Sequence, residues 1–362
     1  MPKTKDLWSH LAATDKSIVM YGMGNGADKI LSVCQERGIE VKDFFASDGF
    51  VRGHSFYGKR VLSYSEAKEK YGKDNMIVLL SFASSLDDVL ENIYKIADEC
   101  ELYAPDVPVC GTQLFDAEFY EQNEQKIALV RSLMADKESK AVYDSIISYK
   151  LSGDVAHLKN SYSDFGDVLR NVVGAEHVTC AVDLGAYNGD TLRELYAVAP
   201  SLKRAIAFEP DRRNYKKLCD YAGGELGFSI DAHNVAAWDK SDTLFFDGGG
   251  SRNSTLMDEN SMQVGKAKKV IEVRADSLDN LIGDAAPDYI KFDVEGAEKE
   301  AILGSLGTIE RYMPTLCISL YHRSQDIFEL PLLIHERFPE YKLYIRRRKY
   351  VPAWDTVLFA VK

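Results

Sequence analysis

Apolar positions along the chain fall into short runs, each followed by a polar segment with helical spacing, and this alternation is typical of an α/β fold. A first group of runs predicts the strands of one sheet, at 17–21, 41–46, 76–81 and near 102–104, with a helix at 86–97. A second group predicts the strands of another sheet, at 180–184, 204–208, 228–230, 235–238, 288–293 and 315–321. The chain therefore carries the pattern of two parallel α/β units in succession.

Two further pairs of runs predict antiparallel additions to the second unit. Segments 243–246 and 270–274 read as a strand pair around the glycine- and serine-rich stretch 248–256, which either closes over a substrate or forms a long hairpin turn. Segments 341–346 and 356–361 predict a terminal hairpin. Between the two units the polar residues have helical spacing, which more often indicates packing than binding. We expect a Rossmann-like domain at 1–115, a helical connector at 116–165 and a second domain at 166–362.

Composition and charge narrow the class of protein. No apolar run reaches the roughly 18 residues of a membrane span, and the first 20 residues lack the apolar centre of a signal peptide, so we expect a cytoplasmic protein. The formal net charge of −12 argues against a nucleic-acid partner. Six cysteines without a C-x-x-C pair indicate reduced thiols. None of these features excludes a homo-oligomer.

The stretch 180–191, CAVDLGAYNGDT, reads as a strand, a tight turn and the start of a helix. Its glycines let the backbone approach a ligand at the carboxyl end of a parallel strand, the usual crevice of open α/β sheets. Acids in such a loop disfavour a pyrophosphate and suit a cationic, hydroxyl-rich ligand. S-adenosylmethionine offers a sulfonium, an ammonium and a ribose. The predicted cofactor contacts in this loop are Asp183, Gly185, Ala186, Tyr187, Gly189, Asp190 and Thr191.

The next strand ends in Glu209-Pro210, and Glu209 lies 20 residues beyond Gly189, where a carboxylate accepts both ribose hydroxyls. A surface acid before a proline is the alternative interpretation. The end of the third strand faces adenine in sheets of this kind, so Asn234 and the small Ala236 are predicted to line that slot.

Candidate catalytic residues follow the last two parallel strands. Asp293 ends one strand close to Glu295, whereas Glu298 reads as an acid that opens the next helix. His322 follows the next strand, where it either removes a proton from an acceptor hydroxyl or is structural. Asp293, Glu295 and His322 could also supply metal ligands, but no supporting pattern accompanies them and we predict no metal.

A second glycine loop lies near the start of the chain. Gly22, Gly24 and Ala27 satisfy G-x-G-x-x-A between a predicted strand and helix, and Asp48 falls about 20 residues later, where a ribose-binding acid would lie. The loop either binds a nucleotide or sugar-nucleotide, or its glycines only allow a helix to pack against a strand.

The second half of the chain resembles a FkbM-type methyltransferase domain. The motifs that carry the resemblance are VDLGAYNGDT at 182–191, FEP at 208–210, VRADSLDNL at 273–281, IKFDVEGAE at 290–298 and ISLYHR at 318–323. The resemblance implies a class I methyltransferase sheet of seven strands with a reversed final hairpin, S-adenosylmethionine as methyl donor, and methylation of an oxygen. It also implies an active-site role for Asp293.

These observations favour an S-adenosylmethionine-dependent O-methyltransferase acting on a sugar, a polysaccharide or another small-molecule acceptor. Two alternatives remain open at this point: an NAD- or sugar-nucleotide-binding enzyme that uses the loop at Gly22, and a non-catalytic nucleotide-sensing module. Base methylation is disfavoured, because 293–296 lacks the Pro-Pro-aromatic segment that holds an extruded base.

Overall fold

The computed structural model describes residues 4–51, 53–247 and 270–362 of the chain. Within them, two parallel sheets are covered by helices and joined by a helical segment. The stretch 248–256, predicted to be a loop over a substrate or a hairpin turn, lies outside the described residues. No helix in the described part of the chain is long and apolar enough to cross a membrane.

The first sheet is parallel throughout and has the strand order β5-β2-β1-β6-β7. Its strands are β1 (Ser17–Tyr21), β2 (Val41–Ala46), β5 (Leu62–Ser63), β6 (Met76–Leu80) and β7 (Glu101–Tyr103). A separate antiparallel pair consists of β3 (Ser55–Phe56) and β4 (Lys59–Arg60). The helices of this part are α1 (Leu7–Ala13), α2 (Asn25–Glu36), α3 (Tyr64–Tyr71) and α4 (Asp87–Glu99).

The connecting segment is helical, as its spacing predicts. It contains α5 (Ala117–Leu133), α6 (Lys137–Ser152) and α7 (Phe165–Val168), the last continuing as a π-helical turn at Leu169–Val173. Aspartates at the starts of α5 and α6 cap them: Asp116 accepts from Phe119 N, and Asp136 accepts from Ser139 N. Phe115 and the buried faces of α5 and α6 belong to the same hydrophobic cluster as one face of the second sheet.

The second sheet has the order β10-β9-β8-β14-β15-β17-β16, and β17 runs in the direction opposite to the other six strands. Its strands are β8 (Cys180–Leu184), β9 (Arg204–Phe208), β10 (Ser229–His233), β14 (Tyr289–Phe292), β15 (Thr315–Ser319), β16 (Lys342–Arg347) and β17 (Thr356–Val361). A small third sheet contains β11 (Ala236–Ala237), β12 (Asp242–Asp247) and β13 (Val270–Asp276). The helices are α8 (Asp190–Val198), α9 (Arg212–Ala222), α10 (Leu278–Leu281), α11 (Glu298–Leu303), α12 (Leu306–Tyr312) and α13 (Asp326–Arg337).

The structure confirms the α/β fold class, the terminal hairpin of β16 and β17, and the antiparallel pairing of β12 with β13. The strands β3, β4 and β5 were not predicted, because two residues are too few to show a period of two. The sequence also gave no prediction for α13, whose pattern is interrupted by Pro331. All six cysteines are unpaired, and all except Cys219 are buried, as their spacing indicates.

Candidate active site

The loop between β8 and α8 is held against the end of β14. Gly185 and Gly189 have φ angles of +86° and +80°, which L side chains rarely adopt. A Cβ atom on Gly185 would lie 1.9 Å from the backbone oxygen of Asp293. Gly185 N and Ala186 N both donate to Phe208 O, at 3.0 and 2.9 Å, and thus attach the loop to β9 as well. The glycines therefore allow the loop to join the ends of three strands.

Three buried charges lie below this loop. Lys291 Nζ is 3.2 Å from Asp183 Oδ1 and 3.3 Å from Asp293 Oδ2, and the Thr191 hydroxyl also donates to Asp183. Burial disfavours the ammonium, but the two carboxylates outweigh this cost and raise the pKa of Lys291. Burial raises the pKa of Asp183, and Lys291 acts in the opposite direction. The contacts of Asp183 are thus internal, and they connect the loop to the strand that carries Asp293.

Glu209 is the buried acid at the end of β9. Its Oε2 accepts a hydrogen bond from Tyr187 N and its Oε1 accepts one from Asp211 N, both at 2.8 Å. Burial raises the pKa of Glu209 to about 7. No ion pair within the described ranges includes this carboxylate. Each oxygen has a further lone pair, so Glu209 is a buried acceptor for two additional donors.

Of the other predicted cofactor residues, Asn234 contacts the turn that carries this carboxylate. Asn234 Nδ2 donates to Glu209 O at 2.9 Å and to Pro210 O at 3.0 Å, so its amide holds the turn that presents the acid. Ala236 is buried in β11. Asp190 is exposed at the first position of α8, where it accepts a hydrogen bond from Thr191 N.

The predicted catalytic residues come together at the ends of β14 and β15. Asp293 Oδ1 accepts hydrogen bonds from Ser319 Oγ at 2.9 Å and from Tyr321 Oη at 3.1 Å. His322 Nε2 lies 3.8 Å from Asp293 Oδ1 and 3.5 Å from Glu295 Oε2. Although burial opposes its charge, Lys291 and His322 hold the pKa of Asp293 below its usual value.

His322 is fully buried and surrounded by carboxylates. Its Nδ1 lies 3.0 Å from Glu298 Oε1, and Glu298 is itself buried at the start of α11. Burial opposes an imidazolium, but the surrounding carboxylates outweigh it and raise the pKa of His322 to about 10. At neutral pH the ring therefore carries both protons. A charged ring balances the surrounding acids, and the choice between a base and a structural role for His322 stays a prediction.

Glu295 has a left-handed backbone conformation and a carboxyl group with a raised pKa. Its φ angle is +53°, a left-handed conformation that non-glycine residues rarely adopt and that clusters at functional sites. Burial raises its pKa to about 7, while the His322 imidazolium acts in the opposite direction. Of the three predicted catalytic groups, Glu295 has the pKa best matched to proton transfer at neutral pH.

Asp293, Glu298 and His322 also satisfy the distance condition for a shared metal ion, since each offers one ligand atom within 4.8 Å of the others. Glu298 Oε1, however, already accepts a hydrogen bond from Val294 N at 2.8 Å and faces the imidazole Nδ1. We interpret the cluster as a protonated imidazole enclosed by acids, and the absence of a metal stays a prediction.

Several residues of the site had no distinguishing sequence signal. Lys291 sits in an apolar strand and reads as an exposed residue, yet it is the cation between Asp183 and Asp293. Asp355 follows β16 in a left-handed turn with a φ angle of +54°, and burial raises its pKa, as does the charge of Asp293. Its position beside the site follows from β16, which runs in the same direction as β14 and β15, so the 348–355 turn lies at the carboxyl edge of the sheet.

The segment that follows the first sheet also contributes to the site. Cys110 N donates to His322 O at 2.8 Å, and Cys110 Sγ donates to Glu295 O at 3.0 Å. Ser324 Oγ donates to Gln113 O at 2.6 Å. Lys29 in α2 donates to two carbonyls of the same segment, at residues 108 and 109. The backbone of Glu295 and His322 is therefore fixed by residues from the first part of the chain.

The loop at Gly22 is packed tightly. A Cβ on Gly22 would lie 2.6 Å from the Phe82 ring, and one on Gly26 would lie 2.1 Å from Ser81 O. Asp48, the predicted ribose acid, accepts hydrogen bonds from Ser65 N at 3.0 Å and Ser65 Oγ at 2.7 Å. These bonds hold the pKa of Asp48 below its usual value. The contacts give Gly22, Gly26 and Asp48 packing and capping roles, whereas nucleotide binding by this loop stays a prediction.

A cavity of about 450 Å³ lies between the carboxyl ends of the two sheets. The first sheet contributes the start of α2 and the turns after β6 and β7, and the second contributes Glu295, Tyr321 and the turn at 350–355. Among the described residues that line it, Glu295 belongs to the predicted catalytic group, and none belongs to the loop at Gly185. The cavity therefore borders the predicted catalytic group at Glu295, and its described lining does not include the glycine loop.

Comparison with known proteins supports the assignment of the second half. The family model described as methyltransferase FkbM domain matches residues 183–352. The structure of methyltransferase FkbM from Methylobacillus flagellatus KT is similar with a TM-score of 0.70 and 20% identity, covering 95% of this chain and 90% of that one. The two proteins share a fold over nearly their whole lengths, which confirms the class I methyltransferase sheet. No curated protein matches the chain.

Other solved structures resemble part of the chain more distantly. Precorrin-6y C5,15-methyltransferase from Geobacter metallireducens GS-15 has a TM-score of 0.32 and 11% identity, covering 54% of this chain and 87% of that one. Fibrillarin from Aeropyrum pernix, in complex with natively bound S-adenosyl-L-methionine, has a TM-score of 0.32 and 10% identity, covering 51% and 66%.

Proposed function

Because residues 183–352 match the family model of the methyltransferase FkbM domain, we propose that this protein transfers a methyl group from S-adenosylmethionine to a hydroxyl oxygen of a sugar, a polysaccharide or another small-molecule acceptor. The observation that carries the proposal is the carboxylate of Glu209, which is buried beside the glycine loop without a cationic partner in the described residues. Both of its oxygens keep a free acceptor position.

The residues fit the donor at this position. Two hydroxyl donors on Glu209 would stabilise a carboxylate whose ionisation burial now disfavours, because each hydroxyl replaces hydration that the site excludes. A ribose offers two adjacent hydroxyls of this kind. The remaining predicted contacts are the backbone of the loop at 185–191 and the turn at Pro210, which Asn234 holds in place.

When bound, S-adenosylmethionine supplies an electrophilic methyl group on a sulfonium. The protein's part in the transfer is to hold the acceptor oxygen in line and to remove its proton, and much of the acceleration comes from positioning. In the proposed mechanism the acceptor proton moves to Glu295 Oε2. Asp293 is held by its hydrogen bonds from Ser319 and Tyr321 and orients the acceptor hydroxyl, and the His322 imidazolium stabilises the two acids.

The acceptor atom is proposed to be oxygen because the site provides a base and several hydrogen-bond acceptors. A hydroxyl needs such a group to take its proton as the new bond to carbon forms. Of the predicted catalytic groups, Glu295 borders the cavity directly, so an acceptor hydroxyl in the cavity can reach its carboxylate.

Ligand-induced stabilisation tests the donor assignment. We expect S-adenosylmethionine and S-adenosylhomocysteine to raise the melting temperature, with a stabilisation of about 2.7 kcal/mol at a concentration 100 times the Kd, and NAD and UDP-glucose to have no effect. Glu209→Gln should reduce the shift, because it removes the charge and replaces one of the two acceptor oxygens by an NH₂ donor. Glu225→Gln makes the same change at an exposed position and should retain it. A shift with NAD or UDP-glucose alone would contradict the proposal and favour the nucleotide-binding alternative.

A further inference from the structure

The cavity between the two sheets brings together side chains that the proposed function does not yet use. One wall is formed by aromatic rings: the Tyr321 and Trp354 rings are stacked with centroids 6.5 Å apart, and the Tyr350 and Trp354 rings are 5.9 Å apart. All three line the cavity, and Phe82 from the first sheet lies on another side. A volume of about 450 Å³ is within the range of small-molecule sites.

The charge of the cavity restricts what it can hold. Its lining includes the carboxylates of Asp106, Glu295 and Asp355, and no Lys or Arg occurs among its described lining residues. Asp106 is paired with the buried Lys150 at 2.8 Å, which leaves Glu295 and Asp355 as the acids that face a ligand. Burying a phosphate or pyrophosphate here would place like charges together at low dielectric without a lysine or arginine in the described lining to balance them.

Hydroxyl groups fit the same surroundings. A sugar hydroxyl donates a hydrogen bond to a carboxylate, and the apolar face of a pyranose ring packs on an aromatic ring. The first turn of α2 borders the cavity at Asn25 and Gly26 and presents backbone N–H groups that a hydroxyl oxygen can accept from. The cavity thus offers acceptors, donors and aromatic surface, but no anion receptor built from side chains.

The cavity is also continuous with the proposed reacting groups. Glu295 lines it and lies 3.5 Å from His322, and Tyr321 lines it while its hydroxyl donates to Asp293 at 3.1 Å. A ligand in the cavity therefore borders Glu295, the residue proposed to accept its proton, and Tyr321, which contacts Asp293.

We infer that the interdomain cavity is the acceptor site and that it takes an unphosphorylated sugar, with the first sheet supplying half of the pocket. This inference rests on the proposed methyltransferase function. It gives the N-terminal part a role in acceptor binding in place of the nucleotide binding that its glycine pattern suggests. The tight packing of Gly22 and Gly26 against Phe82 and Ser81 agrees with this role, because those contacts shape the cavity wall.

Ligand-observed NMR on the full chain tests the inference, using as probes a panel of methyl hexopyranosides and methyl deoxyhexopyranosides of both anomers, together with UDP and UDP-glucose. We expect saturation transfer to at least one glycoside and none to UDP or UDP-glucose. Trp354→Ala should abolish the glycoside signal. Phe50→Ala, which removes an exposed ring outside the cavity, should leave it unchanged.

A second variant is needed because loss of signal in Trp354→Ala could also result from misfolding. Ala83→Leu adds volume to the cavity wall without removing a contact, and it should also reduce the glycoside signal by at least tenfold. The inference is overturned if no glycoside binds, if UDP or UDP-glucose binds in a way that Trp354→Ala abolishes, or if glycoside binding survives both variants. Binding of S-adenosylhomocysteine, measured by calorimetry on the same samples, separates the two proposals. If S-adenosylhomocysteine does not bind, the proposed function is contradicted. If it binds normally and one of the three overturning results is seen, only this inference is contradicted.

Discussion

At the scale of single residues, the candidate site is a set of buried charges that balance one another. Lys291 compensates Asp183 and Asp293, and the His322 imidazolium compensates the acids on its other side. Buried ion pairs contribute little net stability, but removing one partner leaves an uncompensated charge and is costly. Changes at these positions should therefore be designed to keep size and hydrogen bonding, and they should be judged by titration behaviour as well as by rate.

The pH dependence of methyl transfer should report Glu295. A base must be deprotonated, so we expect the wild-type rate to rise with pH through about 7, to which partial burial raises the pKa of this carboxyl. Glu295→Gln should lower kcat by a factor on the order of 10² to 10⁴ while leaving the affinity for S-adenosylhomocysteine unchanged. A pH–rate profile of both proteins checks this. An unaltered acidic limb in Glu295→Gln would assign the base to another group.

His322→Gln should shift that limb. The imidazolium lowers the pKa of Glu295, so its removal should raise that pKa and move the acidic limb of the profile to higher pH. His177→Gln makes the same change at an exposed position and should leave the limb where it is. A limb that stays near pH 7 in His322→Gln would contradict the electrostatic role of the ring.

The sequence was sufficient to bring these residues together but not to assign their charge states. Asp293, Glu295 and His322 each follow a predicted parallel strand, and the ends of such strands meet at one edge of a sheet. Whether His322 is charged depends on its complete burial and on Glu298, which the sequence indicates only as an acid at a helix start. Protonation is set by neighbours in space, and these include residues far apart in the chain.

At the scale of elements, the two glycine loops show that one local pattern serves two packing arrangements. Both connect a β-strand to a helix, and in both a glycine lies where a Cβ would meet a neighbouring backbone oxygen. The loop at Gly185 meets the end of β14, and the loop at Gly22 meets the turn after β6. The sequence spacing predicts both turns. The close contact that requires each glycine depends on the strand order, which the spacing does not give.

Gly26→Ala should destabilise the first sheet. The added methyl would lie 2.1 Å from Ser81 O, a backbone atom that can move only if β6 or α2 moves. We expect a loss of about 3 kcal/mol in the free energy of unfolding, measured from the urea midpoint. Gly49→Ala is the matched control, because a Cβ there meets no atom within 4 Å. Equal midpoints for the two variants would contradict this packing role.

At the scale of the whole molecule, the connector and the second sheet share one core. Phe115, buried residues of α5 and α6, and one face of the second sheet belong to a single hydrophobic cluster. The same connector contacts the first sheet through the Tyr149 hydroxyl, which donates to Ala104 O at 2.9 Å. The boundary predicted between the connector and the second domain, at 165 and 166, follows a change in sequence pattern. The apolar contacts of the shared cluster extend across this boundary.

A fragment consisting of residues 166–362 should therefore fail to unfold cooperatively. Without α5 and α6 the cluster on that face of the sheet is exposed to water, and exposed apolar surface of this extent favours aggregation. Fragment 113–362 restores Phe115 and both helices, and it should recover a cooperative thermal transition by circular dichroism. If the shorter fragment melts at the temperature of the full chain, the connector is dispensable for this core.

The contact between Cys110 and the site has a consequence for chemical reactivity. Burial and the neighbouring acids raise the pKa of this thiol to about 12, so it remains a neutral thiol at physiological pH. Oxidants and alkylating agents react with thiolates, and its sulfur is also shielded by Glu295 O and by the turn at Gly296. Cys110 should therefore react only when its contacts with Glu295 and the turn at Gly296 open, so its modification rate reports the opening of this contact.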